Sequence, residues 1–177
     1  MGSYLNPGNK GFQESLNSEI YVDKTGLIEK TNEVLDTRQK FLCVSRPRRF
    51  GKSMAADMLA AYYERGEDSA ELFGTLKISK VESYEKNRNQ YDIIKVNMQE
   101  FLSMTHSMDE MLSMLQKYLI FDLTDHFDNV RFRDENNLIQ VMKDIYSKTK
   151  HSFVILIDEW DLSLIHISEP TRRSYIS

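Results

Sequence analysis

Ser45-Arg46-Pro47-Arg48-Arg49-Phe50-Gly51-Lys52-Ser53 stands between an apolar run, Phe41-Leu42-Cys43-Val44, and a stretch with helical spacing carried by Met54, Met58, Leu59 and Tyr62. A short, continuously apolar run that ends at turn-forming residues reads as a central parallel strand buried on both faces. The sequence thus predicts a strand, a tight basic loop, and a helix running from about Gly51 to a stop at Gly66. Backbone amides at the start of such a helix point at an anion, and the lysine and the hydroxyl add a cation and a metal ligand. The general phosphate-loop pattern is Gly-x-x-x-x-Gly-Lys-Ser/Thr, and here Arg46 occupies the place of the first glycine, followed by Pro47. Proline restrains its own φ and the backbone of Arg46, so this loop must turn differently.

The tripeptide Gly51-Lys52-Ser53 is weak alone, since it recurs by chance in roughly one chain in ten of this length. A second segment about a hundred residues on supplies the context. Phe153-Val154-Ile155-Leu156-Ile157 is an apolar strand-like run ending in Asp158-Glu159. That places two acids at the carboxyl end of a buried strand, where open parallel sheets bind ligands. In the functional reading Lys52 neutralises β- and γ-phosphate oxygens and Ser53 ligates magnesium. Asp158 holds the same ion, usually through water, and Glu159 orients and deprotonates the attacking water. The competing readings are a helix that merely begins with glycine and a strand that ends in a solvated acidic turn. Arg48 and Arg49 stand as solvated charges, as phosphate or partner contacts, or as nucleic-acid contacts. Trp160 reads as packing against apolar surface in preference to stacking on a base.

Elsewhere, Asp23 is a plausible N-cap for a helix from about 24 to 35 carrying Leu27, Ile28, Thr31 and Leu35 on one face. Residues 79 to 90 are polar and lack periodicity, which reads as a surface connection into a strand, Ile93-Ile94-Lys95-Val96, ending at Asn97. Met108, Met111, Leu112, Leu115 and Leu119 repeat at helical spacing, as do Leu138, Val141, Met142 and Ile145. Such methionine-rich stripes belong to a core. The order strand-helix-strand-helix-helix-strand is that of a parallel sheet covered by helices, an α/β fold.

Composition narrows the class. The chain has 177 residues, 41% hydrophobic and 28% charged, with a net charge of -4, which suits one globular domain and excludes disordered and collagen-like classes. An acidic chain has no general attraction to nucleic acid or anionic membrane. The single cysteine, Cys43, lies within an apolar run, so it is expected to be buried and cannot form an internal disulfide. No signal-peptide pattern and no apolar run near the roughly 20 residues of a membrane span are visible, and a cytoplasmic location is expected. His106, His126 and His151 form no metal-like spacing.

The string from Ser45 to Ser53 closely resembles the bacterial AAA-ATPase-like family, whose full-length members carry a PD-(D/E)XK nuclease-like domain at the C-terminus. In that family the first glycine of the loop is characteristically replaced, as here. Tyr21-Val22-Asp23-Lys24-Thr25, Lys95-Val96-Asn97-Met98 and Ile157-Asp158-Glu159-Trp160-Asp161 look like further landmarks in the expected order. The resemblance covers roughly residues 10 to 161. It implies a P-loop NTPase core of the additional-strand type that binds ATP and Mg2+, possesses Walker A and Walker B motifs, and hydrolyses ATP in the full-length parent. Arg48, Arg49, Phe50, Gly51, Lys52, Ser53 and Met54 are the implied nucleotide-contacting set, Ser53 and Asp158 the metal ligands, and Glu159 with Lys52 the catalytic pair. Implied partners are nucleic acid, through the C-terminal module, and a second copy of the chain.

After Asp161 the landmarks stop. Residues 162 to 177 look like the in-frame translation of a transposon-based sequencing adapter, so residues 1 to 161 are expected to be the N-terminal part of the ATPase domain and the remainder a foreign tail, in which His166 is no ligand. The family's sensor strand normally lies between the phosphate-loop strand and the carboxylate strand. Without it two apolar strand edges are expected to stand unpaired in the middle of the sheet, giving a marginal or aggregation-prone chain with slow hydrolysis at best. Two further readings compete with the ATPase: a nucleotide-dependent switch without turnover, and a nucleic-acid-binding domain, which is poor on charge.

Overall fold

Ile93 faces one side of a strand and Ile94 and Val96 face the other, and this alternation divides the molecule into two cores. The computed structural model describes residues 4–45 and 50–159. Arg46, Pro47, Arg48 and Arg49, and everything from Trp160 onward including the expected foreign tail, lie outside the described residues.

Strand β1 (Asp92–Asn97) pairs in parallel with β2 (Phe153–Asp158), in register from Asp92 opposite Phe153 to Asn97 opposite Asp158. Parallel neighbours need a long crossover, and three helices supply it: α6 (Met98–Met104), α7 (Met108–His126) and α8 (Leu138–Thr149). Each starts on a side-chain cap. Asn97 accepts from Gln99 N–H at 3.0 Å, Ser107 from Glu110 N–H at 3.2 Å and Asn137 from Gln140 N–H at 3.1 Å. Their apolar faces meet Ile94 and Val96 through Phe101, Met111, Leu119, Leu123, Val141 and Ile145. The methionine-rich stripe is thus core at Met111, whereas Leu112 on the same helix is exposed.

The second core lies on the opposite face of the sheet. It is built by α1 (Lys10–Leu16), α2 (Gly26–Val34), α3 (Lys52–Tyr63), α4 (Ala70–Phe73), a 3-10 turn (Lys77–Lys80) and α5 (Tyr84–Asn87), packed on Ile93, Val154 and Leu156. Phe12 stacks on Phe73 with ring centroids 4.9 Å apart, and Tyr62 meets Phe73 edge-on at 5.5 Å. Tyr62 is fully buried, and its hydroxyl donates to the Tyr84 carbonyl at 2.7 Å, which satisfies the one polar atom that burial would otherwise penalise.

The other edge of β1 is covered by the N-terminal segment: Asn6 N–H donates to Ile93 O and Lys95 N–H to Tyr4 O, both at 2.8 Å. The far edge of β2, by contrast, makes no backbone hydrogen bond to another segment among the described residues. Ile155 and Ile157 are 53% and 55% exposed there, so β2 is not the buried strand its composition suggests.

Several expectations are corrected. Phe41 to Val44 form no strand: Phe41 is 87% exposed, and Cys43 is exposed as well. A strand is stable only when its backbone is paired; both edges of β1 are taken by β2 and residues 4–6, and 41–44 make no backbone hydrogen bond to the open edge of β2 among the described residues. The sheet of the described residues therefore has two strands. Residues 79 to 90 are not a featureless surface connection, since they include the end of the 3-10 turn and α5, with Tyr84 and Asn87 buried. Thr25, not Asp23, is the N-cap of α2. Helix α3 ends at Tyr63, short of Gly66, because Glu64 turns extended and bridges to Tyr91. Among the described residues no helix is long and apolar enough to cross a membrane.

Candidate functional site

Parallel pairing in register brings the carboxyl ends of both strands to one edge, and α3 starts beside that edge. Helix α3 packs on both strands, and an ion pair between Asp57 and Lys95 ties it to β1. Its first residue, Lys52, is preceded by Gly51 at φ 75 and ψ 37, a left-handed conformation that glycine adopts without steric cost. The helix bond Ala55 N–H to Gly51 O, 3.0 Å, closes the first turn. Residues in that turn contribute amides without intrahelical partners and the positive end of the helix dipole.

Asp158 is the last residue of β2 and is buried, with 8% of its surface exposed. Its Oδ1 accepts the N–H of Glu159 at 2.9 Å. Glu159 itself takes a left-handed backbone with φ 54, an uncommon conformation for a non-glycine residue and one that turns the chain sharply at the strand end.

Lys52, Asp158 and Glu159 line a single cleft of about 720 Å³. Its walls are α3 at Ala55 and Leu59, β2 at Leu156, and the segment before the loop at Leu42 and Val44. This is the gap between the run 41–44 and the open edge of β2. Such a cleft combines apolar walls with two lysines, Lys40 and Lys52, and two carboxylates, the usual make-up of a small-molecule site. The structure thus unites residues from the two sequence motifs, over a separation of about a hundred residues.

The remaining expected residues are placed less centrally. Ser53 is exposed and does not line the cleft, Phe50 is 58% exposed, and Met54 is half-buried with its Cβ 4.0 Å from where a Cβ on Gly51 would stand. Arg48 and Arg49 lie outside the described residues. For a magnesium ion the donor chemistry fits: Ser53 offers a hydroxyl, Asp158 a carboxylate, and magnesium commonly takes one or two protein oxygens with phosphate and water completing its shell. Among the described residues no cluster of three or more His, Cys, Asp or Glu side chains has metal-binding geometry.

Sequence reasoning left one residue without a role. Lys24 reaches from the start of α2 to the corner before α3, where its Nζ donates to the Phe50 carbonyl at 2.9 Å. The only signal was its place in Tyr21-Val22-Asp23-Lys24-Thr25.

A family described as predicted AAA-ATPase matches the chain over residues 8–176, a range that runs past Asp161. No curated protein and no solved structure is significantly similar to it. The match takes in both strands of the sheet, Lys52 and the two carboxylates of the cleft, and the chain accordingly belongs to the predicted AAA-ATPase family.

Proposed function

We propose that the chain is an ATP-binding domain of the P-loop NTPase type, with the phosphates at the start of α3 and the carboxylates of β2 beside them. The observation that carries this reading is the convergence of Lys52, Asp158 and Glu159 on one cleft. The left-handed Gly51 and the first-turn amides of α3 form the anion cradle. Lys52 balances charge on the terminal phosphates, and Ser53 and Asp158 hold the magnesium ion. Bound magnesium would neutralise developing charge on the phosphoryl oxygens. Glu159 receives a proton from the attacking water and aligns it for in-line displacement.

In the full-length protein this domain hydrolyses ATP and is coupled to a C-terminal nuclease-like module that contacts nucleic acid, a reading that rests on the motif resemblance. The second reading, a nucleotide-dependent switch without significant hydrolysis, is favoured by the exposed Ser53 and by the arginine-proline departure from the ordinary loop. Glu159→Gln separates the two. Under the ATPase reading it keeps ATP binding and abolishes turnover, as measured by phosphate release, while unchanged turnover would remove Glu159 from the mechanism.

A further inference from the structure

We propose that Lys24 is a second cation of the nucleotide site, held against the phosphate loop by the side chains on either side of it. This rests on the reading of α3's start as a phosphate cradle. The ammonium donates to the Phe50 carbonyl at 2.9 Å. It also lies 2.8 Å from the position a Cβ would take on Gly51. Gly51 is constrained by its positive φ, and the ammonium of Lys24 occupies the space a side chain there would enter.

Lys24 is delivered there by a locked corner. Asp23 Oδ1 accepts from Thr25 N–H at 2.9 Å and from Thr25 Oγ1 at 2.6 Å, and Asp23 Oδ2 accepts from Lys77 N–H at 2.9 Å. Thr25 Oγ1 accepts in turn from Ile78 N–H at 3.2 Å, and Thr25 is fully buried. The residues on both sides of Lys24 are therefore tied to the 3-10 turn through their side chains, and the lysine side chain extends to the Phe50 carbonyl. An ammonium has three donors, and a neutral carbonyl does not neutralise it. A polyphosphate seated on Gly51 and Lys52 would lie within the field of both lysines, so the second charge acts on the phosphates and not on the base. The tripeptide Asp23-Lys24-Thr25 then becomes part of the nucleotide site, with Asp23 and Thr25 as its supports.

The test compares wild type, Lys24→Met, Lys24→Arg and Lys52→Ala for binding of ATP, ADP and AMP by calorimetry, with melting temperature measured without nucleotide. Loss of one charge-assisted contact predicts about tenfold weaker ATP binding in Lys24→Met, a smaller loss for ADP and none for AMP. Lys24→Arg recovers most of the ATP affinity, and the melting temperature of the nucleotide-free chain stays near that of wild type. The inference is overturned if Lys24→Met binds ATP as wild type does. It is also overturned if the loss is equal for all three nucleotides and accompanied by a lowered melting temperature, which marks a structural role. If wild type binds no ATP, or if Lys52→Ala binds it unchanged, the nucleotide reading itself fails and takes this inference with it.

Discussion

Asn97 and Asp158 face one another in the last register position of the parallel pair. Asn97 turns its strand into α6 by capping Gln99 N–H at 3.0 Å, while Asp158 binds the N–H of Glu159 at 2.9 Å and ends its strand in a left-handed turn. Both side chains satisfy an amide at the same sheet edge, but only Asp158 lines the cleft. Asp158→Asn retains an oxygen for the Glu159 amide and loses the charge needed by a divalent cation. It is expected to leave the fold intact, to bind ATP in the absence of magnesium as wild type does, and to lose the affinity gained on adding magnesium. A full magnesium response in this variant would remove Asp158 from the metal site.

Gly51→Ala addresses the corner on the other side of the cleft. A left-handed alanine costs about 1–2 kcal/mol, and its Cβ would stand 2.8 Å from Lys24 Nζ. The ammonium is the flexible end of a long side chain and moves away, so the chain still folds, with a melting temperature lower by a few degrees. Nucleotide affinity falls further than stability does, because the cradle and Lys24 are displaced together. Thermal melts with and without ATP separate the two effects.

Glu64 supplies a pH prediction. Its carboxyl is buried and accepts Gly8 N–H at 2.7 Å. Burial pushes its pKa above the ordinary glutamate range, with Glu67 and Asp92 adding like charge, and the Gly8 amide offsets only part of this. A carboxyl raised in the folded state binds protons more readily there than in the unfolded chain, so its contribution to stability falls as pH rises through the folded pKa. Glu64→Gln keeps an acceptor for Gly8 and removes the charge. It is expected to raise the melting temperature at neutral pH, with the gain shrinking as the pH drops through the folded pKa of Glu64 and vanishing only below the ordinary pKa of the unfolded chain. A uniform gain or loss at every pH would contradict the assignment.

The open edge of β2 predicts self-association. Ile155 and Ile157 stand half exposed on a strand whose far edge is unpaired among the described residues, a template for pairing with another chain. Ile155→Lys places a charge on that face and is expected to lower light scattering on concentration or mild heating, with little change in far-UV circular dichroism. Equal scattering from variant and wild type would locate aggregation elsewhere.

Much of this architecture is legible in the sequence because it depends on local pattern. Strand β2 and helices α7 and α8 follow from apolar periodicity, and β1 ends at Asn97 because asparagine caps the next helix. The segment 41–44 misleads for a physical reason: its apolar run has strand chemistry, yet a strand requires a neighbour, and pairing is a property of the whole sheet. Helix α1 escapes notice because only Phe12 and Leu16 mark its apolar face, and the stacking of Phe12 on Phe73 that anchors it is a tertiary contact. The two acids and Lys52 are legible as motif residues, and their meeting in one cleft follows from the packing of α3 on the strands, a tertiary contact. Lys24 illustrates the opposite limit. A charged residue at the start of a helix reads as solvated, and only the packing of that corner against the 3-10 turn directs it to the Phe50 carbonyl.

The central claim is that Lys52 and the carboxylates of β2 belong to one nucleotide site. Equilibrium binding of ATP with magnesium to wild type and to Lys52→Ala tests it most directly. Wild type is expected to bind saturably and Lys52→Ala at least about tenfold more weakly, as for removal of a charged contact to phosphate. Equal affinity in the two proteins would contradict it.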